Sequence, residues 1–146
     1  MGIKIRRRAS AQWTGPVPTG IGQISLGSGA MQAPYSLKSR TEDGTPAGTN
    51  PEELIGAGLA GCFAMSFGDL LEGAGITNAG VHAKAMVQLE QTETGFSITR
   101  IDLTVSGHGD GLDPTLFKEL ATKAKDTCPV SRALAGTEIS LTVESE

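Results

Sequence analysis

Residues 50–71 read NPEELIGAGLAGCFAMSFGDLL, and how this stretch folds decides the architecture. Asn50 can accept from the free N–H groups of a helix start, and Pro51 suits the first helical position. Glu52 and Glu53 complement the positive end of the helix dipole. From Leu54 to Leu71 the segment is apolar nearly all round. A helix of that kind is buried or shared with a second subunit. Gly73-Ala74-Gly75 ends it.

Both flanks of this helix read as β-structure. Ile3, Ile5, Arg7, Ala9, Ala11 and Trp13 alternate with Lys4, Arg6, Arg8, Ser10 and Gln12, the period-two signature of a strand. A turn follows over 15–20, then strands near 22–26 and 35–39 and a polar loop over 41–49. After the helix, Val81, Ala83, Ala85, Val87 and Leu89 predict a fourth strand, with a hairpin turn over 91–95. Phe96, Ile98, Ile101, Leu103 and Val105 predict a fifth. Its apolar phase slips at Thr99-Arg100, where a bulge is expected. Asp113-Pro114 opens a helix carrying Leu116, Phe117, Leu120 and Ala124, and Cys128-Pro129 opens a shorter one through Leu134. Ile139, Leu141 and Val143 mark a last strand. The order βββ-α-ββ-αα-β is an α+β arrangement, read as one domain over 1–146.

Net charge is −4, which argues against nucleic acid as a partner. Arg6-Arg7-Arg8 reads as a solvated strand face. No stretch is read as approaching the roughly 18 apolar residues of a membrane span. The basic N-terminus lacks the apolar region of a signal peptide. A cytoplasmic location follows by default, and there a lasting structural disulfide is disfavoured. The order Cys62, His82, His108, Cys128 fits no compact zinc spacing, so no metal is expected. No phosphate loop or Ser-His-Asp set stands out, and no cofactor is expected.

The two cysteines carry the chemistry. Cys62 lies in the most apolar segment and Cys128 follows a basic amphipathic helix, each at or near an expected helix start. Helix N-termini and nearby cations favour the reactive thiolate. With Arg40 and Glu52 they make up what a cysteine peroxidase needs. One thiolate attacks the peroxide O–O bond and becomes a sulfenic acid. A guanidinium stabilises the thiolate and the developing alkoxide, and a carboxylate holds the guanidinium. A second thiol then condenses with the sulfenic acid. Each residue also has an ordinary reading: buried small side chain, helix cap, first-turn acid, surface arginine. Chain spacing alone does not bring the four together.

The run Gly48-Thr49-Asn50-Pro51-Glu52-Glu53-Leu54-Ile55-Gly56-Ala57 through Ala60-Gly61-Cys62-Phe63 resembles the OsmC/Ohr family, the osmotically inducible and organic hydroperoxide resistance proteins. Gly95-Phe96-Ser97-Ile98-Thr99 and Ala124-Lys125-Asp126-Thr127-Cys128-Pro129-Val130-Ser131 are similar to later parts of the same pattern. Ala11-Gln12-Trp13-Thr14-Gly15 and Tyr35-Ser36-Leu37-Lys38-Ser39-Arg40 look like the OsmC branch. The Ohr branch takes its arginine from an earlier loop, and here 15–20 contains none. Thr41 departs from the pattern, which has Phe after the arginine.

The resemblance implies an OsmC-like fold, antiparallel sheets packed around central helices in an intertwined homodimer with active sites at the subunit interface. It implies a thiol-dependent peroxidase that reduces organic hydroperoxides and is recycled by a dihydrolipoyl-bearing or other dithiol partner. Cys62 matches the attacking cysteine, Cys128 the resolving one, Glu52 the carboxylate and Arg40 the guanidinium. The alternative is a non-enzymatic dimeric module on the same scaffold, sensing redox state or binding a small molecule. On one unbroken helix Glu52 and Cys62 would lie about 15 Å apart along the axis. A bend at Gly56, Gly58 or Gly61 is therefore expected, with Cys62 near the start of the longer helix and Arg40 spanning the two.

Overall fold

The computed structural model of the protein describes residues 2–42 and 48–144. They form two compact units, 1–51 and 52–146.

The N-terminal unit is a three-stranded antiparallel sheet in the order β1 (Ala9–Thr14), β2 (Ile21–Leu26), β3 (Gln32–Tyr35), followed by the short helix α1 (Leu37–Thr41). Residues 3–8 precede β1 rather than belonging to it, so the arginine run is not a strand face. The register places Trp13 and Tyr35 on either side of Gly22. Their rings meet at 5.5 Å across this position. A Cβ on Gly22 would collide with the Tyr35 ring, so glycine is what lets the aromatics close over β2.

The strand expected over 35–39 ends instead at Tyr35. The Ser36 hydroxyl accepts the Ser39 N–H at 3.0 Å, and the Ser36 N–H donates to the Ser39 hydroxyl at 2.8 Å. This reciprocal cap starts α1. Arg40 thus stands on a helix. The polar loop expected over 41–49 lies partly outside the described residues.

The second unit is built around α2 (Pro51–Gly73), a single unbroken helix of 23 residues. The expected bend is absent. Gly56 has a different use: a Cβ there would stand 3.3 Å from Val87, so its absence lets α2 lie close on the sheet. By length and mean hydropathy (1.6) α2 could cross a membrane, which corrects the reading that no stretch approaches a span. Its face of Leu59, Phe63, Phe67 and Leu71 is wholly buried in the core of this unit, as in a core helix.

That core rests on a second sheet, ordered β4 (Thr77–Thr92), β5 (Gly95–Asp110), β6 (Glu138–Val143). Ile101, Leu103 and Val105 alternate inward along β5 and are fully buried. Gln88 pairs with Arg100 but Leu89 pairs with Ile98, which leaves Thr99 as the extra residue of the expected bulge. Gly95 closes the hairpin at φ +120°, a conformation that side chains disfavour. The antiparallel sheets expected from the resemblance need one correction: β6 runs parallel to β5. The long connection from β5 to β6 contains α3 (Pro114–Thr127) and α4 (Pro129–Ala133), the length a parallel crossover requires. Arg100 and Ser140 both donate to the Asp102 carboxylate at this junction. The Ser140 hydroxyl, then Arg100, holds the Asp102 carboxyl below the usual carboxylate range.

Candidate active site

Two helices of the second unit carry the sulfurs. Cys62 is the twelfth residue of α2, on its inward side next to Phe63, and is half-buried. Its expected place at a helix start is therefore wrong, and the α2 dipole gives it little help. Cys128 is where the sequence places it, ending α3 and opening α4. Its N–H donates to the Ala124 carbonyl at 2.9 Å and its carbonyl accepts the Arg132 N–H at 3.0 Å. Pro129 at the first position of α4 forces this sharp change of direction. Cys128 has no exposed surface.

Folding brings these two sulfurs, 66 residues apart in sequence, to 2.9 Å. Both are free thiols. A closure of about 1 Å would reach disulfide bonding distance. The first turn of α4 supplies what the start of α2 does not: the Val130 N–H acts to lower the pKa of both thiols.

The thiols titrate as a pair. Burial pushes Cys62 up, and the adjoining Cys128 pushes it further; the Val130 N–H and the Ser66 hydroxyl offset this only in part. Burial also acts to raise Cys128. The Cys62 thiol, the N–H and hydroxyl of Ser131 and the Val130 N–H outweigh it, so Cys128 lies below the ordinary thiol value.

Ser66, Val130 and Ser131 were not singled out from sequence. Ser66 lies four residues after Cys62 on the same helix, so a face-by-face reading could have found it. Ser131 stands three residues after Cys128, the capping-box spacing. Val130 contributes only its backbone and leaves no sequence signal.

Glu52 is buried near the start of α2 (6% exposed). Ten residues of straight helix separate it from Cys62 in its own chain, about 15 Å along the axis. Arg40 lies in the N-terminal unit. There it lines a pocket of about 200 Å³ with Trp13, Val17, Tyr35, Ser36 and Leu37, apart from Ser36 an apolar wall around one guanidinium. Among the described residues no three His, Cys, Asp or Glu side chains gather as metal ligands.

The family model for OsmC-like protein matches residues 43–144. Peroxiredoxin OsmC of Escherichia coli (strain K12) is 40% identical over 140 residues, covering 95% of this chain and 96% of that protein. The crystal structure of the organic hydroperoxide resistance protein OhrB of Bacillus subtilis superposes with a TM-score of 0.71 at 26% identity, over 95% of this chain and 98% of that one. An organic hydroperoxide resistance protein from Elizabethkingia anophelis reaches a TM-score of 0.77 at 25% identity, over 99% and 100% of the two chains. The paired cysteine segments, the element order and these matches lead to one assignment: the chain belongs to the OsmC-like protein family.

Proposed function

We propose that this protein is a thiol-dependent peroxidase that reduces organic hydroperoxides to alcohols. The observation that carries the reading is the 2.9 Å approach of one partly exposed and one fully buried thiol. Cys62 is the sulfur a substrate can reach, so it attacks the O–O bond and the alcohol leaves. Cys128 then displaces hydroxide from the Cys62 sulfenic acid, forming the disulfide. A dithiol, such as a dihydrolipoyl group on a partner protein, restores both thiols by exchange. The names of the Escherichia coli and Bacillus subtilis relatives support the substrate class.

Arg40 supplies the cation. Attack requires the charge on Cys62, whose pKa burial and the adjoining Cys128 push up. A guanidinium beside Cys62 opposes that shift and favours its thiolate. The aromatic and aliphatic wall around Arg40 suits the carbon chain of an organic hydroperoxide better than hydrogen peroxide. Arg40→Ala is expected to lower kcat/KM by roughly a hundredfold to a thousandfold, the usual effect of losing one electrostatic stabiliser. Because a cation favours the thiolate, its removal shifts the pH–activity profile of the variant to higher pH.

Glu52 positions Arg40, and both act on the Cys62 of a second copy in a homodimer. The unbroken α2 motivates this, since Glu52 stands too far along it to serve its own Cys62. The outer face of α2, with Ala57, Gly58, Gly61 and the 80% exposed Met65, is an apolar strip that a second copy would cover. Glu52→Gln chains refolded together with Cys62→Ser chains are expected to regain activity in mixed dimers, each holding one complete site. Mixed dimers as inactive as their parents would place the carboxylate and sulfur in one chain.

Cys128→Ser is expected to spare one turnover and stall recycling. Mass spectrometry after one equivalent of an alkyl hydroperoxide should find oxygen retained on Cys62 in this variant and a disulfide in the parent. Dihydrolipoamide should then return the parent to two thiols. A sensing module would oxidise and turn over slowly with any dithiol.

A further inference from the structure

Ser131 occupies the third position of α4, directly after the Cys128-Pro129 start. It is among the few buried polar residues of the described chain, only 8% exposed. Its hydroxyl oxygen is sealed from solvent and makes no well-formed hydrogen bond while both cysteines are thiols. A buried hydroxyl left in that state is unfavourable unless another state of the site uses it. Cys128 opens the same short helix three residues earlier, and the Ser131 N–H and hydroxyl both act to lower its pKa. A neutral thiol is a weak acceptor and a thiolate a strong one.

We propose that Ser131 is a positioning residue for Cys128: its hydroxyl donates to the Cys128 sulfur once that sulfur is charged, and so sets how readily Cys128 closes the disulfide on oxidised Cys62. The inference rests on the assignment of Cys128 as the resolving thiol. In the closing step the Cys128 thiolate attacks the Cys62 sulfenic sulfur, the S–S bond forms and the S–O bond breaks. The departing hydroxide takes up the proton that Cys128 released and leaves as water. Ser131 holds the attacking sulfur in its charged form and fixes its direction. When a dithiol later opens the bond, the same donor stabilises Cys128 as it leaves.

The effect has a distinctive pH signature. For each unit by which a thiol pKa rises, its thiolate fraction falls about tenfold at lower pH, while the nucleophilicity of the thiolate gains only about threefold. Loss of the hydroxyl should therefore slow closure severalfold at neutral pH. The deficit should shrink and reverse once pH exceeds the Cys128 pKa. A purely structural defect would slow closure at every pH.

The test compares the parent with Ser131→Ala by rapid-quench mass spectrometry after one equivalent of an alkyl hydroperoxide, from neutral to alkaline pH. Ser131→Ala is expected to slow the sulfenic-to-disulfide step much more than sulfenic acid formation, with the deficit lost at high pH. Ser131→Thr, which keeps the hydroxyl, should recover much of the neutral-pH rate. Equal closure rates in parent and Ser131→Ala, or a deficit independent of pH, would overturn the proposal. An independent arm needs no peroxide: thiolate absorbance titrates Cys128 in Cys62→Ala and in Cys62→Ala/Ser131→Ala. A higher Cys128 pKa in the double variant supports the role of Ser131, and an identical one refutes it. Failure of the parent to form any sulfenic acid would instead count against the peroxidase reading, leaving this titration to decide the role of Ser131.

Discussion

Cys62→Ser is expected to reduce consumption of an alkyl hydroperoxide, supplied with dihydrolipoamide, to the uncatalysed background. The reason lies in the reacting atom. A thiolate is accessible near neutral pH and is highly nucleophilic, whereas a serine hydroxyl in the same place has no adjacent base to activate it. Cys128 cannot substitute, because it has no exposed surface on which to meet a peroxide. The exchange of sulfur for oxygen leaves α2 undisturbed, since Cys62 is mid-helix and only half-buried. A folded Cys62→Ser protein with unchanged steady-state turnover would rule out the mechanism. Thermal unfolding measured in parallel separates lost chemistry from lost structure.

The second large effect is on the scaffold. Phe67→Ala is expected to destabilise the protein by about 3–5 kcal/mol, the range for truncating a fully buried Phe. Phe67 has no exposed surface. Its ring lies edge-on to Phe63 at 5.9 Å and tilted against Phe117 at 4.9 Å. The second contact matters most for function, because Phe117 belongs to α3 and α3 delivers Cys128 at its C-terminal end. The cavity left by the ring would loosen the docking of α3 on α2 that holds the sulfurs together. Urea unfolding should show a lower midpoint, and disulfide closure after one equivalent of peroxide should slow in the protein that remains folded. A stability change under about 1 kcal/mol would mean that the site collapses and refills easily.

Local chemistry made most of the elements legible. Pro51 with its two following acids marked the start of α2, and Asp113 marked that of α3, where its carboxylate accepts the Leu116 N–H at 2.8 Å. The phase slip at Thr99 marked the bulge, because a single extra residue reverses the inward face of a strand. Misreadings came where two local signals compete. Ser36 and Ser39 sit beside Tyr35 in a stretch that passes for a strand, but their reciprocal cap favours a turn of helix. The glycines of α2 suggested a break, and there packing outweighed propensity. Close approach to β4 at Gly56, and burial of Leu59, Phe63, Phe67 and Leu71 on one continuous face, hold the helix straight.

By itself the sequence determined the α+β order apart from α1, the apolar central helix, the family and the two thiols, because each depends on residue type and short-range spacing. Tertiary structure alone decided that Cys62 and Cys128 meet at 2.9 Å, that the first turn of α4 faces both sulfurs, and that Glu52 is remote from the Cys62 of its own chain. These are relations between side chains brought together across 66 residues, or kept apart by a rigid rod. The first is set by how α2, α3 and the sheet pack around a shared core, and the second by the packing that keeps α2 straight through its glycines.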